Sequence, residues 1–306
     1  MRHDVRGRIL VRAHPEGTAM STTTSTTTVA GIGGSPKLVL TAADGAHADI
    51  YLHGAHVTSW VPAGARDDRL FLSATSRFGE GAAIRGGVPV CFPQFADQGT
   101  LAPHGFVRTT AWTLVRAERQ ASGAAQATLQ IATTPAMRAL WPHAFTLALT
   151  VTVGGDTLAL ELAATNDGAA PFAFTCALHT YLRVTDVRTT FLRGLAGAHY
   201  RDKVLGHDDD VETAPRLAVD RPLDRVYRAA PAVVAVEEPE RTTEVRATGF
   251  RDTVVWNPGP DRGATMDDLE PGGFARMLCV EAACASAPVL VAPGATWRGT
   301  QSLVAR

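Results

Sequence analysis

Apolar and polar residues alternate with a period of two through most of the chain, the spacing of a half-buried β-strand. The alternation is clearest over Phe145, Leu147, Leu149, Val151 and Val153, with smaller or hydroxyl-bearing residues between them. It resumes at Leu158, Leu160 and Leu162 after Gly154-Gly155-Asp156, which predicts a hairpin turn. Lys37–Thr41 and Ala48–Trp60 read as strands, the second broken at Gly54, and Ala127–Thr133 and Thr253–Trp256 add two more. Turn clusters separate them: Pro62-Ala63-Gly64, Asn166-Asp167-Gly168, Asn257-Pro258-Gly259-Pro260 and Pro271-Gly272-Gly273. Helical periodicity is weak, and only Pro135–Leu140 and Met266–Glu270 predict short helical turns. Strands do not alternate with helices, and no G-x-G-x-x-G follows a strand, which argues against a dinucleotide-binding fold. The pattern predicts an all-β chain, one large antiparallel β-sandwich over residues 31–306.

The start of the chain breaks this pattern. Met1–Met20 is rich in Arg and His and lacks the apolar h-region of a secretory signal. Ser21–Thr28 is a Ser/Thr run with too little apolar surface to offset its ordering entropy. Residues 1–30 are therefore expected to be a disordered tail. Of the 306 residues, 45% are hydrophobic, enough for a sizeable core. The formal net charge is −1, without the basic excess that binding a phosphate backbone requires, so nucleic acid is not an expected partner. No run approaches the roughly 18 apolar residues of a membrane span. Cysteines at 91, 176, 279 and 284 form no C-x-x-C pair and no dense disulfide framework. Buried free thiols in a reducing cytoplasm, and a monomer, are the expectation.

Four segments place polar residues in apolar or glycine-rich surroundings: Ile84–Phe95, Pro103–Arg108, Thr175–Leu182 and Met277–Ala283. Glu281 lies in the last. A carboxylate in an apolar strand is either paired or pushed to a higher pKa, where it becomes a competent base near neutral pH. Alternation equally permits it to face solvent. His179 is similarly open between a satisfied strand histidine and an acid catalyst. Arg85, beside Gly86 and Gly87, and Arg108 can each fork onto a phosphate or carboxylate, or form surface ion pairs. Trp60, Trp141 and Trp256 offer flat faces for a sugar ring or simply fill the core. His53, His56, His104 and His143 lack H-E-x-x-H spacing and a cysteine pair, so no metal is expected.

These segments, in order, resemble a known family. Leu52–Trp60, Leu70–Ser73, Ile84–Phe95 and His104–Arg108 are similar to the glucose-6-phosphate 1-epimerases of the aldose 1-epimerase superfamily. The likeness continues through Trp141–His143, Leu178–Leu182, Tyr200–Val204, Asp224–Tyr227, Val255–Gly259 and Cys279–Glu281, and so spans residues 37–304. The resemblance implies a galactose-mutarotase-like β-supersandwich and a cofactor-free isomerase. It places the catalytic acid on His179, the catalytic base on Glu281 and sugar contacts on Gln94, His104 and Asp224. Phosphate contacts fall on Arg85 and Arg108, and the implied partner is a small-molecule sugar phosphate. One departure stands out: the family commonly has Lys after the Ser-Trp pair, and this chain has Val61. If that Lys meets phosphate, a bond of about 1.5–3 kcal/mol is missing, with Arg66 and Arg69 as nearby substitutes. An epimerase of unphosphorylated aldoses and a non-catalytic carbohydrate-binding module are the alternatives.

Overall fold

The alternating segments become long paired strands. The computed structural model describes residues 26–229 and 231–306. Phe145–Gly154 and Thr157–Asn166 form a hairpin in unbroken register, closed by Gly155 and Asp156, with Gly155 at φ 59°. A two-residue hairpin loop needs such a left-handed residue, and glycine supplies it without strain. Leu147, Leu149, Val151 and Val153 face inward beside Leu158, Leu160 and Leu162, all fully buried.

The hairpin belongs to a nine-stranded antiparallel sheet that also contains Ala125–Ala132 and Thr296–Ala305. An eight-stranded sheet carries, in spatial order, His207–Val211, His199–Asp202, Leu223–Arg228, Asp252–Asn257, Met277–Val291, Phe172–Leu178 and Val90–Cys91. Its eighth strand, Tyr181–Arg183, also pairs with Met277–Val291. A four-stranded sheet of Thr26–Ala30, Pro36–Thr41, His47–Tyr51 and His56–Val61 completes the architecture. The all-β antiparallel sandwich expected from the alternation is the fold observed.

One apolar core joins the inner faces of all three sheets, and the strand Met277–Val291 shows how the site is set against it. Leu278, Val280, Ala282 and Cys284 point into that core. The intervening residues occupy the opposite face: Met277 and Cys279 in a cluster with Phe71, Tyr181 and Trp256, and Ala283 and Ala285 in one with Phe95, Val226 and Val254. Glu281 lies between these two clusters. The segment before Thr113 and the loop around residues 258–276 contribute to the cover of that outer face, so the strand is buried on both sides for its first nine residues.

Two expectations need correction. Residues 26–30, assigned to the tail, form a strand paired with Pro36–Thr41. β-branched threonines suit an edge strand even where little apolar surface is buried; the remainder of the tail, residues 1–25, lies outside the described residues. Met266–Glu270 is a series of turns, and the helix is Gly259–Ala264, which begins within the predicted Asn-Pro-Gly-Pro turn and runs past it. Asn257 explains the switch. Its side chain accepts from the Gly259 amide and donates to the carbonyls of Phe274 and Met277, and Pro260 then suits the first helical turn.

A buried ionic network braces the strands that lead to the site. Arg225 donates to Asp202 at 2.8 Å and to Glu212 at 2.9 Å, and the Tyr227 hydroxyl also donates to Glu212. Asp202 in turn accepts from the amides of Val204 and Leu205. The network thus holds the neighbours of Lys203 and Asp224, which point elsewhere. Arg225→Ala leaves two buried carboxylates without a cation and is expected to cost about 3–5 kcal/mol, read as a lowered urea midpoint at neutral pH.

Candidate active site

His179 follows directly on the strand Phe172–Leu178, and its amide donates to the Pro89 carbonyl at 2.9 Å. Glu281 sits in the neighbouring strand. Between them a single side chain from the opposite sheet sets the spacing. Gln301 accepts from the Thr180 hydroxyl and donates to the Val280 carbonyl, while the Val280 amide donates to the Thr180 carbonyl. The neighbours of the two candidate groups are thereby tied to one another. The Tyr181 ring stacks on the His179 imidazole, centroids 4.9 Å apart at 8°, and Trp256 meets the imidazole edge-on.

Nδ1 of His179 lies 3.2 Å from Oε1 of Glu281. The contact lacks hydrogen-bond alignment, and both Nδ1 and the second Glu281 oxygen are buried with no hydrogen-bond partner among the described residues. Glu281 is 1% exposed and His179 8%, so neither side chain faces solvent. Burial, with the Asp224 carboxylate adding to it and Lys203 opposing, holds the Glu281 carboxyl well above its ordinary range. Burial, followed by His104, Arg108 and Arg85, holds the His179 imidazole well below its own. A neutral acid beside a neutral imidazole contains the same proton as a carboxylate beside an imidazolium. Both shifts favour the first arrangement, with the proton on Glu281 rather than on His179.

The pair forms the floor of a cavity of about 520 Å³. Arg85, His104, Arg108 and Asp224 line it, as do Phe95, Trp256, Met266, Lys203 and Arg262. His104 adopts a left-handed backbone, φ 69°, ahead of Gly105, a strained conformation for a non-glycine residue. Its Nδ1 accepts from the Ala96 amide and lies 3.2 Å from the Cys91 sulfur. The neutral ring therefore carries its hydrogen on Nε2. Burial and the Arg108, Lys203 and Arg85 cations push its pKa down to about 3, so the ring stays neutral. Burial also raises Asp224, against the pull of Lys203 and Arg262.

The two arginines differ. Arg85 is already engaged: Nε and Nη2 donate to Asp268 at 3.1 and 3.0 Å, and Nη1 donates to the Tyr181 hydroxyl at 2.8 Å. Arg108 donates Nη2 to the Pro103 carbonyl, and its buried Nε has no partner among the described residues. Gln94 does not reach the cavity. Its amide is occupied by the carbonyls of Ala96 and Leu101 and by the Leu101 amide, and it shapes the loop that carries Phe95. Trp60 is core, and Trp141 belongs to an aromatic group with Phe92, Phe145 and Phe172; of the three tryptophans, Trp256 lines the site. Val61 lies on a strand opposite His47, away from the cavity, so the basic residue it replaces in sequence is no loss to this site. Arg66 and Arg69 line a separate cavity with Arg241 and Glu238. The site cations that sequence reasoning did not single out are Lys203 and Arg262. Lys203 sits inside the matched block Tyr200–Val204, whereas nothing around Arg262 marks it. The four histidines weighed as ligands do not converge: His53 and His56 bond the carbonyls of Ala82 and Gly86, and His143 packs on Trp141.

The profile of the family described as aldose 1-epimerase matches residues 36–304. A protein of Cenchrus ciliaris, provisionally named glucose-6-phosphate 1-epimerase, is 36% identical over 281 residues, which cover 89% of this chain and 85% of that protein. An Escherichia coli protein with the same provisional name is 37% identical over 244 residues, covering 78% and 80%. A crystal structure of a Salmonella typhimurium protein, YeaD, provisionally named a mutarotase, superposes with a TM-score of 0.82 at 30% identity, covering 92% of this chain and 96% of that one. A galactose mutarotase-like protein of Clostridium acetobutylicum, 13% identical, shares the fold with a TM-score of 0.73. The chain belongs to the aldose 1-epimerase family. It is a carbohydrate epimerase. Among the described residues, no helix is long and apolar enough to cross a membrane.

The Glu281 shift has a thermodynamic signature. Its carboxyl is raised in the folded state, so its contribution to stability is fully present below the ordinary value of 4.5 and is lost as pH rises through the folded value. Glu281→Gln removes that loss. Relative to the wild type, the variant is expected to gain about 1.4 kcal/mol per pH unit above 4.5 until the folded value is reached. Urea midpoints measured for both proteins at acidic and neutral pH check this; parallel curves refute it.

Proposed function

We propose that the enzyme interconverts the α and β anomers of a hexose 6-phosphate, with His179 as general acid and Glu281 as general base. One observation carries the reading: a buried, unbonded imidazole–carboxyl pair lies at the floor of a cavity bordered by four cationic side chains, Arg85, Arg108, Lys203 and Arg262. Ring opening removes a proton from the anomeric hydroxyl and delivers one to the ring oxygen. Both oxygens are bonded to the same carbon, so an acid and a base about 3 Å apart can serve them together. A dianionic substrate brings negative charge to the cations around the cavity, and the pair's proton is available to His179 once Glu281 faces the hydroxyl. The open-chain aldehyde turns about its C1–C2 bond and closes on the other face, with acid and base exchanging roles. The neutral His104 Nε2–H and the Asp224 carboxylate supply a donor and an acceptor for sugar hydroxyls. Trp256 supplies an apolar face.

The relatives' provisional names point to glucose 6-phosphate. The phosphate falls to Arg108, whose Nε is buried and unpartnered, and to Lys203 and Arg262, with the remaining Arg85 donors as a supplement. Glu281→Gln is expected to lower the catalysed anomer exchange of α-glucose 6-phosphate by about 10²–10⁴-fold, followed by NMR. Wild-type rates in that variant remove Glu281 from the mechanism. Arg108→Ala and Lys203→Ala are each expected to lower kcat/KM for glucose 6-phosphate by about tenfold to a hundredfold and to leave free glucose nearly unaffected. Equal losses on both sugars would assign these cations to structure.

A further inference from the structure

Cys279 has no part in the reaction above, yet it lies two residues before Glu281 on the same face of the same strand. One ligand atom each from His179, Cys279 and Glu281 lies within 4.8 Å of the others. This is an imidazole nitrogen, a sulfur and a carboxylate oxygen. All three residues are more than nine-tenths buried. Among the described residues, His179 Nδ1 and the second Glu281 oxygen have no hydrogen-bond partner, so no protein bond has to break for either to become a ligand. Cys279 packs with Tyr181 and Trp256, while His179 and Glu281 line a cavity that admits a solute.

The geometry assigns His179, Cys279 and Glu281 as a coordination site for one thiophilic divalent cation of the zinc class, with occupancy excluding catalysis. Nitrogen, sulfur and oxygen donors with a fourth position open to the cavity match the ligand preferences of that ion. Tetrahedral bonds of about 2.0–2.3 Å place ligand atoms roughly 3.3–3.8 Å apart; Nδ1 of His179 and Oε1 of Glu281 are already near that spacing, and the widest separation, at most 4.8 Å, has to close by no more than about 1–1.5 Å. No electron is transferred. The cation accepts a lone pair from each ligand, and the thiol proton together with the proton shared by His179 and Glu281 passes to solvent. With both groups bound to metal, neither can deliver nor accept a proton at the sugar. The site is then a reversible inhibitory switch. The assignment shares two side chains with the functional reading and rests on that reading only for the inhibition.

Two measurements on the full chain separate the ideas. Titration with Co(II) alone is expected to produce a thiolate-to-cobalt charge-transfer absorption that saturates at one equivalent and is displaced by Zn(II). Zn(II) is expected to abolish anomer exchange reversibly, with activity restored by a chelator. Cys279→Ala is expected to turn over normally, to lose the absorption and to need at least about tenfold more Zn(II) for half-inhibition, in line with the losses that follow weaker disturbances of a metal site. Cys279→Ser serves as the second replacement if the alanine variant does not fold. No charge-transfer band in the wild type, or unchanged Zn(II) sensitivity in the variants, overturns the assignment. A wild type that binds Co(II) through Cys279 but catalyses no anomer exchange retains the metal site and sinks the functional reading.

Discussion

A carboxyl and an imidazole withheld from water, side by side, are what the rest of this site is arranged around. Neither is stable there in its charged form alone, and the contact between them is not a hydrogen bond. Burial acts on the two in opposite directions, raising the acid and lowering the base. Both shifts favour the proton on Glu281 over His179. The energy to hold such a pair in place comes from the extensive apolar core behind it.

The cavity walls tune that pair in two ways. Arg85 and Arg108 oppose a positive charge on His179, while Asp224 opposes a negative charge on Glu281. Both effects favour the uncharged arrangement until a solute changes the balance. Position is set separately. Tyr181 stacks beneath the imidazole and also accepts a hydrogen bond from Arg85, so one ring couples the acid to a cation that is itself clamped by Asp268. Gln301 reaches across from the other sheet to the residues adjoining both groups. Electrostatic tuning and geometric support therefore come from different elements.

Much of the fold was legible because alternation is a property of the residues themselves. Phe145–Val153 and Leu158–Leu162 appear in the structure with the faces their spacing implies. The helix at Gly259–Ala264 was not legible, since it depends on Asn257 bonding to residues 17 and 20 positions away. For the site, the strand pattern alone left Glu281 poised between solvent and interior, and the loops that cover its face are nonlocal. The ordered resemblance directed attention to His179, Glu281, His104, Arg85, Arg108 and Asp224, all of which line one cavity. It misplaced Gln94, whose environment is a loop it stabilises itself. Arg262 carried no local signal, because its relevance comes from where the helix Gly259–Ala264 meets the cavity.

Through residue 285, the strand Met277–Val291 serves the core with its even-numbered residues and the site-bearing face with its odd-numbered ones. This makes its reading frame intolerant of indels. Deleting or inserting one residue just before Glu281 would exchange the two faces, sending the carboxyl toward Leu278 and Cys284 and presenting an aliphatic side chain to the sugar. Length variation among related chains should therefore collect in the loops at either end of this strand and leave its first half untouched.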